Sequence, residues 1–118
     1  MLKMGIITGF LGRTKDRFHE YNEPLDLEAK FKLMNCIHGI DGVEIVYPYE
    51  VSDAEAVKAQ LQQHDLQVAA VNVNVKAEPE FVSGGLTSDN RVIRDKAVQF
   101  IKDSKDFAAA VGADKVTC

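Results

Sequence analysis

Three polar side chains interrupt runs that are otherwise apolar and β-rich. Glu44 lies within Val43-Glu44-Ile45-Val46-Tyr47, and Asn72 and Asn74 lie within the run from Val68 to Val75. Successive side chains of a strand point to opposite faces. Val43, Ile45 and Tyr47 therefore share one face, with Glu44 and Val46 on the other; Val71, Val73 and Val75 share one face, with Ala70, Asn72 and Asn74 on the other. A carboxylate in this setting can accept hydrogen bonds or move a proton, and a carboxamide both donates and accepts, which suits hydroxyl-rich ligands. Structural roles compete with these. An inward Glu44 is costly to desolvate unless paired, so it could instead be tied to a Lys or Arg of another strand. Either Asn could satisfy backbone groups of the following loop.

Other residues with chemical potential are placed less tellingly. His19 falls in a loop and His38 and His64 at helix ends, away from strand termini, so surface or capping roles are expected. Cys36 and Cys118 have neither metal-ligand spacing nor the pattern of a disulfide framework, which fits a reduced, cytoplasmic setting. Gly84-Gly85 ahead of Leu86-Thr87-Ser88 approaches a helix N-terminus, where free N–H groups can hold an anion. It lacks the phosphate-loop lysine and the dinucleotide glycine spacing, so a turn with a Ser or Thr cap is the expected structure there.

The elements that would position Glu44 and the asparagines alternate in period. Met4 to Thr8, closed by Gly9, reads as a first strand. A helix starts at Leu27 with Asp26 as its cap, buries Leu27, Phe31, Met34 and Ile37, and stops at Gly39. Val43 to Tyr47 is a second strand, ended by Pro48. Ser52 and Glu55 form a capping-box pattern for a second helix whose inward stripe is Ala54, Val57 and Leu61, ending near His64 and Asp65. Val68 to Val75 is the third strand. A loop from Lys76 to Ser88 leads to a long helix with Ile93, Ala97, Phe100, Phe107 and Val111 on one face and Gly112 as its stop. A fourth strand begins near Lys115, and the sequence reaches Cys118 within it.

Strands joined by single helices lie parallel when each crossover returns to the same sheet. An open doubly wound sheet is covered on both faces and its strands read as continuously hydrophobic; a barrel strand is covered outside only, and its interior can turn polar near the C-terminal mouth. The polar face carrying Glu44, Asn72 and Asn74 favours the barrel. The expected fold is α/β, the N-terminal half of a (β/α)8 barrel: three βα units plus the start of a fourth parallel strand, with residues 1–118 an N-terminal fragment of a single barrel domain.

Composition narrows the function classes. With 46% hydrophobic and 27% charged residues the chain has the make-up of a globular domain. A net charge of −4 and a pI near 5.3 argue against nucleic-acid binding. Lys3, Arg13, Lys15 and Arg17 are interleaved with Asp16, His19, Glu20 and Glu23, which reads as a solvated mixed-charge loop. The apolar stretch at the N-terminus is too short for a signal-peptide core or a membrane span, so no membrane partner is expected.

Gly42-Val43-Glu44-Ile45-Val46-Tyr47-Pro48, Gly84-Gly85-Leu86-Thr87-Ser88, and the helix from Arg91 into Val111-Gly112-Ala113-Asp114 together resemble the xylose-isomerase-like TIM-barrel superfamily of sugar isomerases and epimerases. The resemblance implies a parent enzyme dependent on a divalent metal (Mn, Mg, Co or Zn) that isomerises or epimerises a sugar or polyol by proton transfer, with an inosose-dehydratase-like lyase as a variant. It implies metal ligands mainly on later strands, so that this chain holds no complete metal site and is inactive alone. Glu44 matches the family's inward glutamate on the second strand, Asn72 and Asn74 occupy positions that face substrate, and Phe10 forms part of an apolar wall. Endonuclease-IV-like members and several sugar isomerases carry a histidine at or just after the second or third strand, where this chain has Tyr47, Pro48, Asn72 and Asn74, which disfavours both a phosphodiesterase and a true xylose isomerase and favours a broader isomerase, epimerase or inosose-dehydratase-like parent. From another class, a free-standing α/β module would homo-oligomerise through its open sheet edge.

Overall fold

The computed structural model describes residues 2–15, 19–51 and 53–118. Asp16 and Arg17 of the expected mixed-charge loop, and Ser52 of the expected helix cap, lie outside the described residues. The first strand, β1 (Gly5–Ile7), runs into a 3-10 turn at Thr8–Phe10. A small antiparallel ribbon, β2 (Thr14–Lys15) and β3 (Glu20–Tyr21), occupies the segment read from sequence as a loop. There follow α1 (Leu27–Asn35), β4 (Gly42–Tyr47), α2 (Ala54–Gln63), β5 (Gln67–Val73), a 3-10 helix at Pro79–Ser83, α3 (Arg91–Val111) and β6 (Val116–Thr117).

Each α-helix of the described residues begins at a side chain that satisfies an orphan backbone donor. Asp26 accepts from Ala29 N at 2.7 Å, as expected. The second helix starts differently from the sequence reading: Asp53 is the cap, accepting from Ala56 N at 3.0 Å, and Glu55 pairs with Lys58. The third is capped by Asn90, which accepts from Val92 N at 2.9 Å, and is closed by Gly112 in the left-handed conformation. The first helix ends at Asn35, earlier than Gly39, so Ile37 leaves the buried stripe and is 40% exposed.

The four main strands form one parallel sheet in the order β1-β4-β5-β6. Sequential order without reversal is the order of a barrel wall; a doubly wound sheet reverses direction at a switch point. The helices agree with this. Phe31 and Met34 of α1, Val57 and Leu61 of α2, and Ala108 and Val111 of α3 join one buried cluster with Val43, Ile45 and Val71, the outward face of the sheet. Among the described residues, helices cover one face of the sheet. No helix among the described residues is long and apolar enough to cross a membrane.

Two local features set the register. Between Val43 and Glu44 the pairing shifts: Val43 faces Val68 but Glu44 faces Ala70, leaving Ala69 as a bulge. Gly42 passes so close to β5 that a Cβ there would lie 2.6 Å from the Gln67 carbonyl oxygen. Only glycine fits.

At the other end of β4 a buried polar knot joins three elements. Lys30 of α1, 6% exposed, forms an ion pair with Glu50, whose other oxygen accepts from the fully buried Thr8 hydroxyl and from Val46 N. Thr8 Oγ1 also accepts from Val46 N at 3.3 Å. Removing one partner of such a pair strands a charge away from water. Lys30→Met is expected to destabilise the chain by about 3 kcal/mol, on the scale of broken buried pairs, while Lys30→Met with Glu50→Leu recovers most of the loss. Urea unfolding of the two variants checks this; equal losses would contradict it.

Candidate functional site

The inward face of the sheet gathers polar side chains from three consecutive strands. Glu44 on β4 and Asn72 on β5 meet diagonally, because Glu44 is in register with Ala70 and Val46 with Asn72. Thr117 on β6 is in register with Asn72 and completes the group. Asn72 Nδ2 donates to Glu44 Oε1 at 2.9 Å and to Thr117 Oγ1 at 3.0 Å, and the Thr117 hydroxyl donates to Glu44 Oε1 at 2.6 Å. Ile7 of β1 shares this face, since it is in register with Glu44. Glu44 and Asn72 are half-buried and Thr117 is exposed.

Glu44 is thus held by two neutral donors rather than by the Lys or Arg that the competing structural reading called for. The buried lysine–glutamate pair of this fold exists elsewhere, between Lys30 and Glu50. Asn74 does not join the group: its Oδ1 accepts from Lys76 N and Ala77 N, both at 3.0 Å, so its carboxamide is used by the loop it opens. Phe10 is 71% exposed after β1. Thr117 escaped the sequence reading because a threonine in a strand is ordinary; its register with Asn72 is the signal that singles it out.

The remaining sequence candidates have structural duties. His64 caps α2, its Nδ1 lies 2.9 Å from Asn35 Nδ2, and its ring meets Phe31 edge-on. His38 and His19 are exposed. The Gly84-Gly85 turn is a packing device, since a Cβ on Gly85 would lie 2.9 Å from the Val75 carbonyl oxygen and 3.5 Å from Ala97 Cβ. Arg94 Nη1 donates to the Ser88 and Asp89 carbonyls, fixing the turn to α3. Cys36 and Cys118 are free and exposed.

A second polar group links the loops that follow β4 and β5. Tyr49 donates to Glu78 Oε1 at 2.6 Å, Lys96 of α3 reaches Glu78 Oε2 at 2.9 Å and also binds Glu80, and the same ammonium lies 5.7 Å and 5.8 Å from the ring centres of Phe81 and Phe100. Burial, then the hydrogen bond to Glu78 and the charges of Glu78 and Glu80, raise the Tyr49 phenol well above its ordinary range. The hydrogen bonds from Tyr49 and Lys96 hold Glu78 below the usual carboxylate value, and those to Glu80 and Glu78 raise Lys96.

Among the described residues there is no group of three or more His, Cys, Asp or Glu side chains placed to hold a metal ion. Glu44 with Asn72 and Thr117 supplies one carboxylate and two neutral oxygens, too few anionic donors for a closed divalent site. These residues do not by themselves fit a metal centre.

Four parallel strands in sequential order, helices on one face and polar residues on the other define part of a (β/α) barrel. The family model described as xylose isomerase-like TIM barrel matches residues 37–118, and the chain belongs to that family. Among solved structures it is similar to an AP endonuclease, family 2, from Brucella melitensis, with a TM-score of 0.63 and 18% identity. The match covers 98% of this chain and 40% of that one, so this chain spans less than half of that barrel. A search of the curated proteins gives no significant match.

The loop network makes a titration prediction. Neutral Tyr49 is favoured by the fold, so its contribution is complete below the ordinary phenol value of 10.0 and is lost as pH climbs through the raised one. Ionised Glu78 is favoured, so its contribution is complete above 4.5 and is lost as pH falls through the lowered value. Glu78→Gln should move the Tyr49 ionisation to lower pH, read from the Tyr49 Cζ resonance by NMR. An unmoved midpoint would show that Glu78 does not hold the phenol.

Proposed function

We propose that this chain is the N-terminal part of a divalent-metal-dependent sugar or polyol isomerase or epimerase, in which the inward face of β4, β5 and β6 binds substrate hydroxyls. The observation that carries this reading is the Glu44–Asn72–Thr117 group on the uncovered face of the sheet. A carboxylate fixed by two donors on one oxygen turns its other oxygen to a ligand hydroxyl, and charge-assisted bonds of that kind are among the stronger polar contacts a site can offer.

The metal would be held by residues from the rest of the barrel and would polarise substrate oxygens there. In this chain Glu44, Asn72 and Thr117 orient the polyol and Ile7 bounds it on the apolar side. Asn74 and Phe10 enter as loop residues near the mouth. The chain alone is inactive in this reading, residues 1–118 being one part of a single barrel domain, and the setting is cytoplasmic.

A phosphodiesterase reading draws on the name of the structural neighbour, an AP endonuclease. At 18% identity that likeness speaks for the fold. With metal ligands placed in the rest of the barrel under either reading, the choice rests on this chain's own inward face, where Glu44, Asn72 and Thr117 offer hydrogen-bonding oxygens and no cationic side chain for a phosphate. The polyol reading is preferred.

Its test is binding. Xylitol titrated into the 118-residue chain should shift the Asn72 side-chain amide resonances, and Glu44→Gln should weaken that binding by about ten- to hundredfold, the range for losing one hydrogen bond to a charged group. Unchanged affinity in Glu44→Gln would remove Glu44 from the site.

A further inference from the structure

The structure assigns Thr8 as a positioning residue of the inward group: its hydroxyl, held by the Lys30–Glu50 pair, stands in for strand pairing that β1 has given up and fixes the part of β4 that sets Glu44 beside Asn72. This deepens the polyol reading and rests on it for what Glu44 binds.

β1 stops one step too early for the strand beside it. Met4 O accepts from Gly42 N at 3.3 Å, and the acceptors along a parallel ladder recur at every second residue. Ile6 O therefore serves Glu44 N, and Thr8 O is next in line for Val46 N. Thr8 O is engaged elsewhere, accepting from Leu11 N at 3.0 Å in the 3-10 turn that follows the strand. Backbone pairing alone would leave Val46 N an orphan donor in a half-buried wall.

Side chains fill the gap. The Val46 N–H is shared between Thr8 Oγ1 and Glu50 Oε2, each 3.3 Å from the nitrogen. Thr8 donates its one hydroxyl hydrogen to Glu50, whose other oxygen takes the Lys30 ammonium, and Glu44 O lies 3.2 Å from the same hydroxyl. Thr8 is fully buried and Lys30 nearly so, hence water competes little for these bonds.

One peptide carries this hold to the site. Asn74 N donates to Tyr47 O at 2.8 Å, and two residues back along the same ladder Asn72 N faces Ile45 O. The peptide joining Ile45 to Val46 is therefore gripped on both sides, through its N–H by Thr8 and Glu50 and through its C=O by Asn72. It fixes β4 beside β5 one residue beyond Glu44, where Glu44 Oε1 and Asn72 Nδ2 meet at 2.9 Å. Thr8 acts on that contact through the backbone.

The experiment is NMR on the 118-residue chain with Thr8→Val, which keeps the shape and removes the oxygen, and Thr8→Ser, which keeps the oxygen. In Thr8→Val the Val46 amide should exchange about tenfold faster, as for one weakened hydrogen bond. The Asn72 side-chain amide resonances should move toward those of a free carboxamide with no ligand present, and xylitol should bind about tenfold more weakly. Thr8→Ser should restore all three. A residue that serves stability alone would lower the urea midpoint of Thr8→Val and leave the Asn72 resonances and the xylitol affinity of the folded chain unchanged, and that result overturns the inference. If xylitol fails to bind the unaltered chain, the polyol reading fails, and the ligand-free Asn72 resonances still decide the role of Thr8. Where Thr8→Val does not fold, the unaltered chain decides: a Val46 amide as slow to exchange as that of Glu44 supports the assignment, and a fast one overturns it.

Discussion

A single extra residue in β5 decides what the inward face presents. With Val43 opposite Val68, an unbroken ladder would set Glu44 against Ala69 and Val46 against Val71, and a one-residue offset of this kind sends a strand's side chains to the wrong face. The bulge at Ala69 resolves the conflict. Val68 packs toward the helix-side cluster, Val71 follows it there, and Ala70 and Asn72 turn inward beside Glu44 and Val46. Gly42 belongs to the same constraint, since the strands close to a distance that leaves no room for a side chain just before the shift. The site depends on this register more than on any one of its hydrogen bonds.

The architecture was legible because it rests on periodicity. Apolar spacing in α2 and α3, the alternation Val71-Asn72-Val73, and the single capping acceptor Asp26 each report one local preference, and each is realised. The polar inward face that separated a barrel from a doubly wound sheet follows from the same period of two. Where the expectations slipped, a neighbouring residue offered the better local solution. Asp53 caps α2 with a carboxylate positioned on Ala56 N, and α1 closes at Cys36, whose N–H reaches Leu33 and Met34 carbonyls before Gly39 is met.

The site itself was only partly legible, for reasons of distance along the chain. Glu44 and Asn72 could be placed on a face but not opposite each other, because the bulge that aligns them leaves no signature in an Ala69-Ala70 pair. Asn74 shares the alternation of Asn72, yet it lies past the end of β5, where a carboxamide closes its own turn. The Lys30–Glu50–Thr8 knot was invisible for a similar reason. Lys30 sits on an amphipathic helix where lysine is normally solvated, and only the fold brings Glu50 and Thr8 to it from two other elements.

The two polar groups divide the labour of the mouth. Tyr49, Glu78, Glu80 and Lys96 close their valences on one another and hold the loops after β4 and β5 to α3, so they stiffen the rim. Glu44, Asn72 and Thr117 bond to one another on the uncovered face of the sheet while Glu44 Oε2 and Asn72 Oδ1 stay outside those bonds. Preorganisation of this kind lowers the ordering cost of binding. It also limits the chemistry, for a carboxylate whose one oxygen already accepts two donors is better suited to orient a hydroxyl than to take its proton.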